Sequence, residues 1–163
     1  MLRARPVLRA HRPGDTAAVV ALFRAAVHET AASHYDTAQR NAWAPVDLQA
    51  ADWETRLADQ HVLLAECDGE LAGFIAWDDD GLVDLLFTAP TFGRRGIATA
   101  LYLEAETRMR AAGLREASTF ASHVSRPVFE RQGWRVVHAQ TVQLDGVGLE
   151  RFRMCKALPP ASD

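Results

Sequence analysis

The stretch that decides the fold is LLFTAPTFGRRGIATAL, from Leu85 to Leu101. A run that is apolar on both faces predicts a central strand from Leu82 to Phe87. After the proline turn at Ala89-Pro90, apolar residues at helical spacing predict a long helix from Arg95 to Ala112. The segment from Gly93 to Thr99 is therefore predicted to lie where a buried strand delivers the chain to a helix N-terminus.

This segment, Gly93-Arg94-Arg95-Gly96-Ile97-Ala98-Thr99, has the composition of an anion-binding site. The first amides of a helix have no intrahelical partner, and the helix dipole places partial positive charge there. Glycine lets a bulky phosphate approach the backbone, and two arginines add charged, forked donors. A phosphorylated ligand fits this position. The alternative is a glycine-containing helix start with two solvated arginines, and the segment alone does not separate the two interpretations.

Two common phosphate-binding motifs do not match. A P-loop requires Gly-Lys-Ser/Thr, which Arg95-Gly96-Ile97 does not supply. The dinucleotide fingerprint Gly-x-Gly-x-x-Gly does not follow the strand either. The ligand class therefore stays open at this point.

The pattern of elements outward from this stretch predicts an α/β or α+β domain with a mixed sheet. A capping box formed by Asp36 and Gln39 predicts the start of a helix, and Pro45 is expected to end that helix. Another helix is predicted from about Asp47 or Asp52 to Ala58. The remaining predicted helices contain Val19 to Val27 and Ser125 to Gln132, and the remaining strands are Val7–Arg12, His61–Cys67, Leu71–Trp77, Glu116–Ala121, Trp134–Val142 and Leu149–Lys156.

The composition of the chain makes several classes of protein less favoured, including nucleic-acid-binding, metal-binding and membrane proteins. The 163 residues fit one domain, residues 1–163 with a core of about 7–158 and a frayed tail. A net charge of −3 disfavours nucleic-acid binding. Cys67 and Cys155 are too few for a disulfide framework or zinc site, so buried free thiols and no metal are expected. The absence of an apolar leader or spanning segment predicts a cytoplasmic protein without a membrane partner.

Two motifs, in the right order, resemble the GNAT superfamily of N-acetyltransferases. The first is Leu85 to Leu101, which is similar to the family's acetyl-CoA motif, Gln/Arg-x-x-Gly-x-Gly/Ala after an apolar strand end and a proline turn. The second is Ser125 to Trp134, which is similar to the family's short helix ending Tyr-Glu-Lys-Leu-Gly-Phe. The resemblance covers Val7 to Leu158, and the block from His34 to Ala44 is similar to a branch of small single-domain bacterial members.

The resemblance implies a GNAT-like mixed, mainly antiparallel central sheet of about six to seven strands with about four flanking helices. Acetyl-CoA is the implied cosubstrate, and the thioester would lie where the strand carrying Leu86 splays from its neighbour. Backbone groups of three strand residues would pair with the pantetheine arm, and amides of the loop would hold the pyrophosphate. The implied cofactor-binding residues are Leu86, Phe87, Thr88, Arg94, Arg95, Gly96, Ile97, Ala98, Thr99 and Phe129.

The sequence departs from the family pattern at two positions. Gly93 stands at the Gln/Arg position, which removes a side chain but leaves the backbone cradle. Phe129 stands where a tyrosine often protonates the leaving thiolate. A thiol has a reference pKa near 8.5, so a thiolate is a tolerable leaving group without that acid.

Acetyl transfer needs a base for the amine, and two residues are candidates. Asp84 interrupts an apolar strand, where burial would raise the pKa of its carboxyl; the alternative is a structural carboxylate paired with an arginine. His123 lies on the loop before the short helix, and its alternative is a packing histidine. His34, Tyr35 and Trp43 are the predicted acceptor-binding residues, because the resemblance places the acceptor site between the first two helices.

The leading hypothesis is an acetyl-CoA-dependent N-acetyltransferase that acts on a primary amine of a small molecule or peptide. One alternative is an acyl-CoA-binding sensor without turnover, which the phenylalanine at position 129 supports. Another is a module that binds phosphoproteins or nucleotides through Arg94 and Arg95. The resemblance also allows a homodimer.

Overall fold

A computed structural model describes residues 5–161 and contains one seven-stranded sheet. The strand order is β1-β2-β3-β4-β5-β7-β6, and only the β4–β5 pair is parallel. The strands are β1 Val7–Ala10, β2 His61–Cys67, β3 Glu70–Trp77, β4 Leu82–Thr88, β5 Glu116–Ala121, β6 Arg135–Leu144 and β7 Val147–Ala157. The mainly antiparallel mixed sheet is confirmed, and the predicted central strand, β4, is its middle member.

Five α-helices flank the sheet in the described part of the chain, where the sequence predicted about four. They are α1 Thr16–His28, α2 Thr37–Trp43, α3 Ala50–Ala58, α4 Ile97–Ala111 and α5 Arg126–Arg131. The predicted capping box starts α2, because Asp36 Oδ1 accepts from the amide of Gln39 at 2.8 Å and Gln39 Oε1 accepts from the amide of Asp36 at 2.9 Å.

The core has two halves because neighbouring residues of a strand point to opposite faces of the sheet. Leu63 and Ile75 point to the face that α4 and α5 cover, where Leu101 and Phe129 are buried. Leu64 and Phe74 point to the face that α1 and α3 cover. The mixed sheet is therefore the middle of three layers, with helices on both of its faces.

Helix α4 starts two residues later than predicted, at Ile97 instead of Arg95. Arg94 and Gly96 have φ angles of 61° and 78°, in the left-handed region, so a helix cannot include them. The chain therefore makes a separate loop before α4 begins.

The start of the tail that the sequence predicted to be frayed is held against the domain. The amide of Leu158 donates to the carbonyl of Arg115 at 2.9 Å, and the Leu158 side chain is buried. The Arg110 guanidinium donates to the carbonyls of Pro159 and Pro160 at 2.8 and 2.7 Å. The last two residues lie outside the described part of the chain.

Gly73 sets the distance between β3 and α4. A β-carbon at this position would lie 2.7 Å from Cγ2 of Ile97 and 2.9 Å from the carbonyl oxygen of Phe87. We expect Gly73→Ala to lower the free energy of unfolding by about 1–3 kcal/mol, because the extra methyl overpacks the core. Urea denaturation measures this difference. Gly14→Ala is the control, since nothing lies within 4 Å of its added methyl, and an equal loss in both variants would contradict the prediction.

Candidate active site

The first amides of α4 have no partner within the helix. The first α4 hydrogen bond runs from the amide of Ala100 to the carbonyl of Gly96 at 3.0 Å, so the amides of Ile97, Ala98 and Thr99 have no helix partner. Gly93 to Gly96 are exposed. A β-carbon at Gly96 would meet nothing within 4 Å, so glycine is required there by its positive φ and not by crowding.

Arg94 and Arg95 both extend from this loop. Within residues 5–161, neither forms an ion pair with an acidic side chain, and both are exposed. The Arg95 guanidinium lies 5.3 Å from the ring centre of Phe92. The loop thus combines amides without helix partners, the positive end of a helix and two available cations, which is the chemistry of a phosphate site.

Strands β4 and β5 separate after two residue pairs. Leu82 pairs with Ser118 and Val83 pairs with Thr119, and the register ends there although both strands continue. On its other side β4 stays paired with β3 through Thr88. The strands therefore splay as the resemblance implied.

Backbone polar groups of β4 face this opening. The amide of Ala89 donates to the carbonyl of Ala72 in β3 at 2.8 Å. Because backbone groups alternate sides along an antiparallel strand, those of Leu86 and Thr88 point away from β3 and into the gap. An extended ligand arm can pair with them as an added strand would.

Two cavities meet at the gap. The larger, of about 420 Å³, is a groove on the side of α2 and α3, and the smaller, of about 80 Å³, lies beside the start of α4. The residues that line both are Trp43, Leu86, Phe87, Ser122 and Ser125. A ligand that entered from the α4 loop through the smaller cavity would reach the groove at the splay.

His123 lies in a cluster of polar and aromatic side chains, and its partners Tyr35 and Glu150 line the groove. Its Nε2 lies 2.9 Å from Oε1 of Glu150, and its ring stacks on His34 with centroids 5.6 Å apart. Its amide donates to the Tyr35 hydroxyl at 3.0 Å, and that hydroxyl donates to the carbonyl of Glu150 at 3.3 Å. Trp43 packs edge-on against Tyr35. The structure therefore brings the predicted catalytic and acceptor-binding residues of this region together.

Comparisons of the sequence and of the structure with known proteins agree on one family. The model of the acetyltransferase (GNAT) domain matches residues 31–156. The chain belongs to the GNAT acetyltransferase family. It is 33% identical over 150 residues, 90% of this chain and 93% of the other, to the uncharacterized N-acetyltransferase YafP of Escherichia coli (strain K12). Members of this family are acetyltransferases that take acetyl-CoA as cosubstrate, and the cradle and gap described above fit that molecule.

Solved structures share the fold over nearly the whole length of this GNAT enzyme. A GCN5-related N-acetyltransferase from Rhodopseudomonas palustris superposes with a TM-score of 0.91 at 28% identity, covering 97% of this chain and 99% of that one. PaiA N-acetyltransferase from Thermoplasma acidophilum, in complex with coenzyme A, superposes with a TM-score of 0.73 at 21% identity, covering 93% and 98%. The fold prediction is thereby confirmed.

In this GNAT enzyme Asp84 is a paired carboxylate. It is the extra residue of a bulge, because Ala76 pairs with Leu85 and Trp77 pairs with Val83. Both of its oxygens accept from Arg56 at 2.9 Å, and Gln60 also donates to it at 2.9 Å.

These contacts reverse the pKa shift predicted for Asp84. Burial raises its pKa, but the hydrogen bonds from Arg56 and Gln60 and the charge of Arg56 outweigh burial, so the pKa lies below its ordinary value. The predicted upward shift is wrong, and the ion-pair alternative describes the contacts.

Phe129 lies behind the gap, buried against Tyr102 and Trp134 with ring centroids 6.1 and 4.8 Å away. The Tyr102 hydroxyl does not replace the missing phenol, because it accepts from Trp134 Nε1 at 2.8 Å in the buried core. Burial raises the pKa of Tyr102 well above its ordinary value. Phe129 therefore contributes apolar packing to the groove wall.

Several residues of the groove were missed by reasoning from the sequence. Glu150, Arg151 and Phe120 line it from β7 and β5, and Arg56 lines it from α3. The alternation Leu149-Glu150-Arg151-Phe152-Arg153 predicts a strand with polar residues, but nothing local indicates which cavity they reach. In the described part of the chain, no group of three or more metal-ligating side chains is arranged to hold a metal, and no helix is long and apolar enough to cross a membrane.

Reversing the charge of the loop tests the phosphate cradle. We expect acetyl-CoA at about a hundred times its dissociation constant to stabilise the parent by about 2.7 kcal/mol, or roughly 5–10 °C in Tm. The double variant Arg94→Glu, Arg95→Glu should lose most of this shift, because two attractive charges become repulsive. Differential scanning fluorimetry measures it. The charge-matched control Arg5→Glu, Arg115→Glu should keep the shift, and equal shifts in both double variants would contradict the assignment.

Replacing Asp84 tests whether this residue is a structural carboxylate paired with Arg56 or the catalytic base. We expect Asp84→Asn to keep turnover within about threefold while losing at most about 1 kcal/mol of stability, because the pair is partly exposed. Since the folded pKa lies below the unfolded value, the contribution of the pair is present above about pH 4 and is lost as the pH falls. Steady-state kinetics and urea denaturation at pH 7 and pH 3 measure both quantities. A loss of kcat of a hundredfold or more would instead make Asp84 the base.

Proposed function

We propose that this enzyme transfers the acetyl group of acetyl-CoA to a primary amine of a small molecule or peptide, by direct attack of the amine on the thioester. One observation supports this most strongly: residues beside the gap between β4 and β5 line both cavities, and the smaller cavity reaches Ala98 in the first turn of α4. Such an arrangement lets cosubstrate and acceptor approach the same point from opposite sides. The reaction can then proceed in one step of group transfer.

The cosubstrate would be held mainly by the backbone. The amides of Ile97, Ala98 and Thr99, with the guanidinium groups of Arg94 and Arg95, would bind the pyrophosphate. Backbone groups of Leu86 and Thr88 would pair with the pantetheine arm, and Phe87 lies between them on the same strand. Ala98 and Val128 line the smaller cavity, through which the arm would pass.

His123 is the base of this proposal. Glu150 holds its Nε2 and Tyr35 holds its amide, so the ring has a defined orientation beside the groove. Burial raises the pKa of Tyr35, the hydrogen bond from His123 opposes that rise, and the Glu150 carboxylate adds to it. Tyr35 therefore remains a neutral hydroxyl at physiological pH and acts as a structural link.

The bond changes balance without a further co-reactant. The amine nitrogen forms a bond to the carbonyl carbon as the carbon–sulfur bond breaks, and the amine proton passes to His123. The amide of Leu86, which points into the gap, would stabilise negative charge on the carbonyl oxygen. The hydroxyls of Ser122 and Ser125 line both cavities and would hydrogen-bond the departing sulfur. The products are an N-substituted acetamide and the thiolate of coenzyme A, which becomes the thiol when His123 releases the proton through solvent.

The location and the oligomeric state of the enzyme are also part of the proposal. Cys67 and Cys155 are buried free thiols, as predicted, which suits the reducing cytoplasm proposed as the location of this enzyme. The homodimer that the resemblance allows stays a prediction.

Removing the imidazole tests the base. We expect His123→Asn to lower kcat by about 10²–10⁴-fold, because the variant has no group that can take the proton of the amine. Its thermal shift with acetyl-CoA should equal that of the parent. His61→Asn, at an exposed histidine on β2, is the control and should keep full activity. Unchanged kcat in the His123 variant would refute the assignment, and acetyl-CoA binding without turnover of any amine by the parent would favour the sensor alternative.

A further inference from the structure

Two arginines flank one aromatic ring on the wall of the groove. The Cζ atoms of Arg151 and Arg153 lie 4.1 and 4.9 Å from the ring centre of Phe120. Phe120 and Arg151 both line the groove. Two like charges around one ring repel each other, so an anion bound between or beside them is electrostatically favoured.

The orientation of Arg151 leaves one edge of its guanidinium available. Its Nε donates to Oε1 of Gln140, directly across the β6–β7 pair, at 2.7 Å. Its Cζ lies over the ring of Phe120, and this contact limits the motion of the group. Among the described residues no acceptor contacts the two terminal nitrogens, so two parallel N–H groups remain on the far edge. That edge matches the two oxygens of a carboxylate.

The two carboxylates that line the groove already have hydrogen-bonding partners. Asp84 is bound by Arg56, and the Glu150 carboxylate is bound by His123. Within residues 5–161, no carboxylate of the chain forms an ion pair with Arg151 or Arg153. A protein with a net charge of −3 thus concentrates uncompensated positive charge in this one part of its groove.

We infer that the acceptor carries a carboxylate as well as its amine, as an amino acid does, and that Arg151 binds this carboxylate through its free edge. The amine would lie at the gap beside His123, and the apolar part of the acceptor would pack on Phe120, Val142 and Leu144, which line the groove. The guanidinium of Arg153, 4.9 Å from the same ring centre, strengthens the positive field. This inference rests on the proposed acetyl transfer for the position of the amine.

Matched acceptors test the role of the carboxylate. Phenylalanine and phenethylamine share an aromatic body and a primary amine, but only the first has a carboxylate. We expect the parent to have at least a tenfold higher kcat/KM for phenylalanine, measured as thiol release from acetyl-CoA. Because the two amines differ in basicity, the decisive quantity is how this ratio changes in a variant.

The variant Arg151→Gln should lower the ratio at least tenfold, through a higher KM for phenylalanine and an unchanged KM for phenethylamine. Arg151→Lys, which keeps the charge and loses the fork, should give an intermediate ratio. Arg115→Gln, an exposed arginine on the loop before β5, is the matched control and should leave the ratio unchanged. An Arg151→Gln ratio equal to that of the parent would overturn the inference.

A binding arm separates this inference from the proposed function. In the presence of coenzyme A, N-acetylphenylalanine should bind at least tenfold more tightly than N-acetylphenylalaninamide, and Arg151→Gln should remove that difference. Selective, Arg151-dependent binding without acetylation of either amine would uphold the carboxylate site and refute the acetyl transfer. Acetylation of both amines, with no preference for the carboxylate in either arm, would uphold the transfer and overturn the carboxylate site.

Discussion

The short pairing between β4 and β5 is the constraint on which the rest of the site depends. The Thr119 hydroxyl donates to the carbonyl of Val83 at 2.7 Å, and beyond this link the two strands have no further register. The bulge at Asp84 lies at the same point, and a bulge bends and twists the strand that contains it. Backbone groups that a continuous sheet would satisfy internally are thereby offered to a ligand. Asp84, the extra residue of the bulge, lies beside the opening, and its carboxylate is paired with Arg56.

The position of α4 aligns the anion cradle with this opening. The two left-handed residues, Arg94 and Gly96, turn the chain between β4 and the first residue of α4. Gly73 lets the helix approach β3 closely enough to bury Ile97 and Leu101. The proposed binding of the phosphorylated cosubstrate and the stability of the fold therefore involve the same helix, because the helix whose first amides lack helix partners is also one that covers the sheet.

The groove proposed to bind the acceptor is built from side chains, whereas the anion cradle is built from backbone amides. Its wall is made by side chains from α2, α3, β5, β6 and β7, so its chemistry depends on residues and not on backbone geometry. The carboxylates of Asp84 and Glu150 are each held by a cationic or imidazole partner, whereas the guanidinium groups of Arg151 and Arg153 have no carboxylate partner in the described chain. Such a wall can change its specificity by substitution without disturbing the cradle, which is how one fold serves many acceptors.

The sequence by itself determined the local elements and, through its two motifs, the family and its cosubstrate. Periodicity, the capping box of Asp36 and the motif from Leu85 to Leu101 depend on residues close in the chain, so they can be read without knowing the fold. The tertiary structure alone decided which distant side chains meet. Arg56 lies 28 residues from Asp84, and the Tyr35 hydroxyl reaches a carbonyl 115 residues away. Those encounters reversed the predicted pKa shift of Asp84 and placed Glu150 and Arg151 in the groove, because strand pairing brings together residues whose separation along the chain carries no local signal.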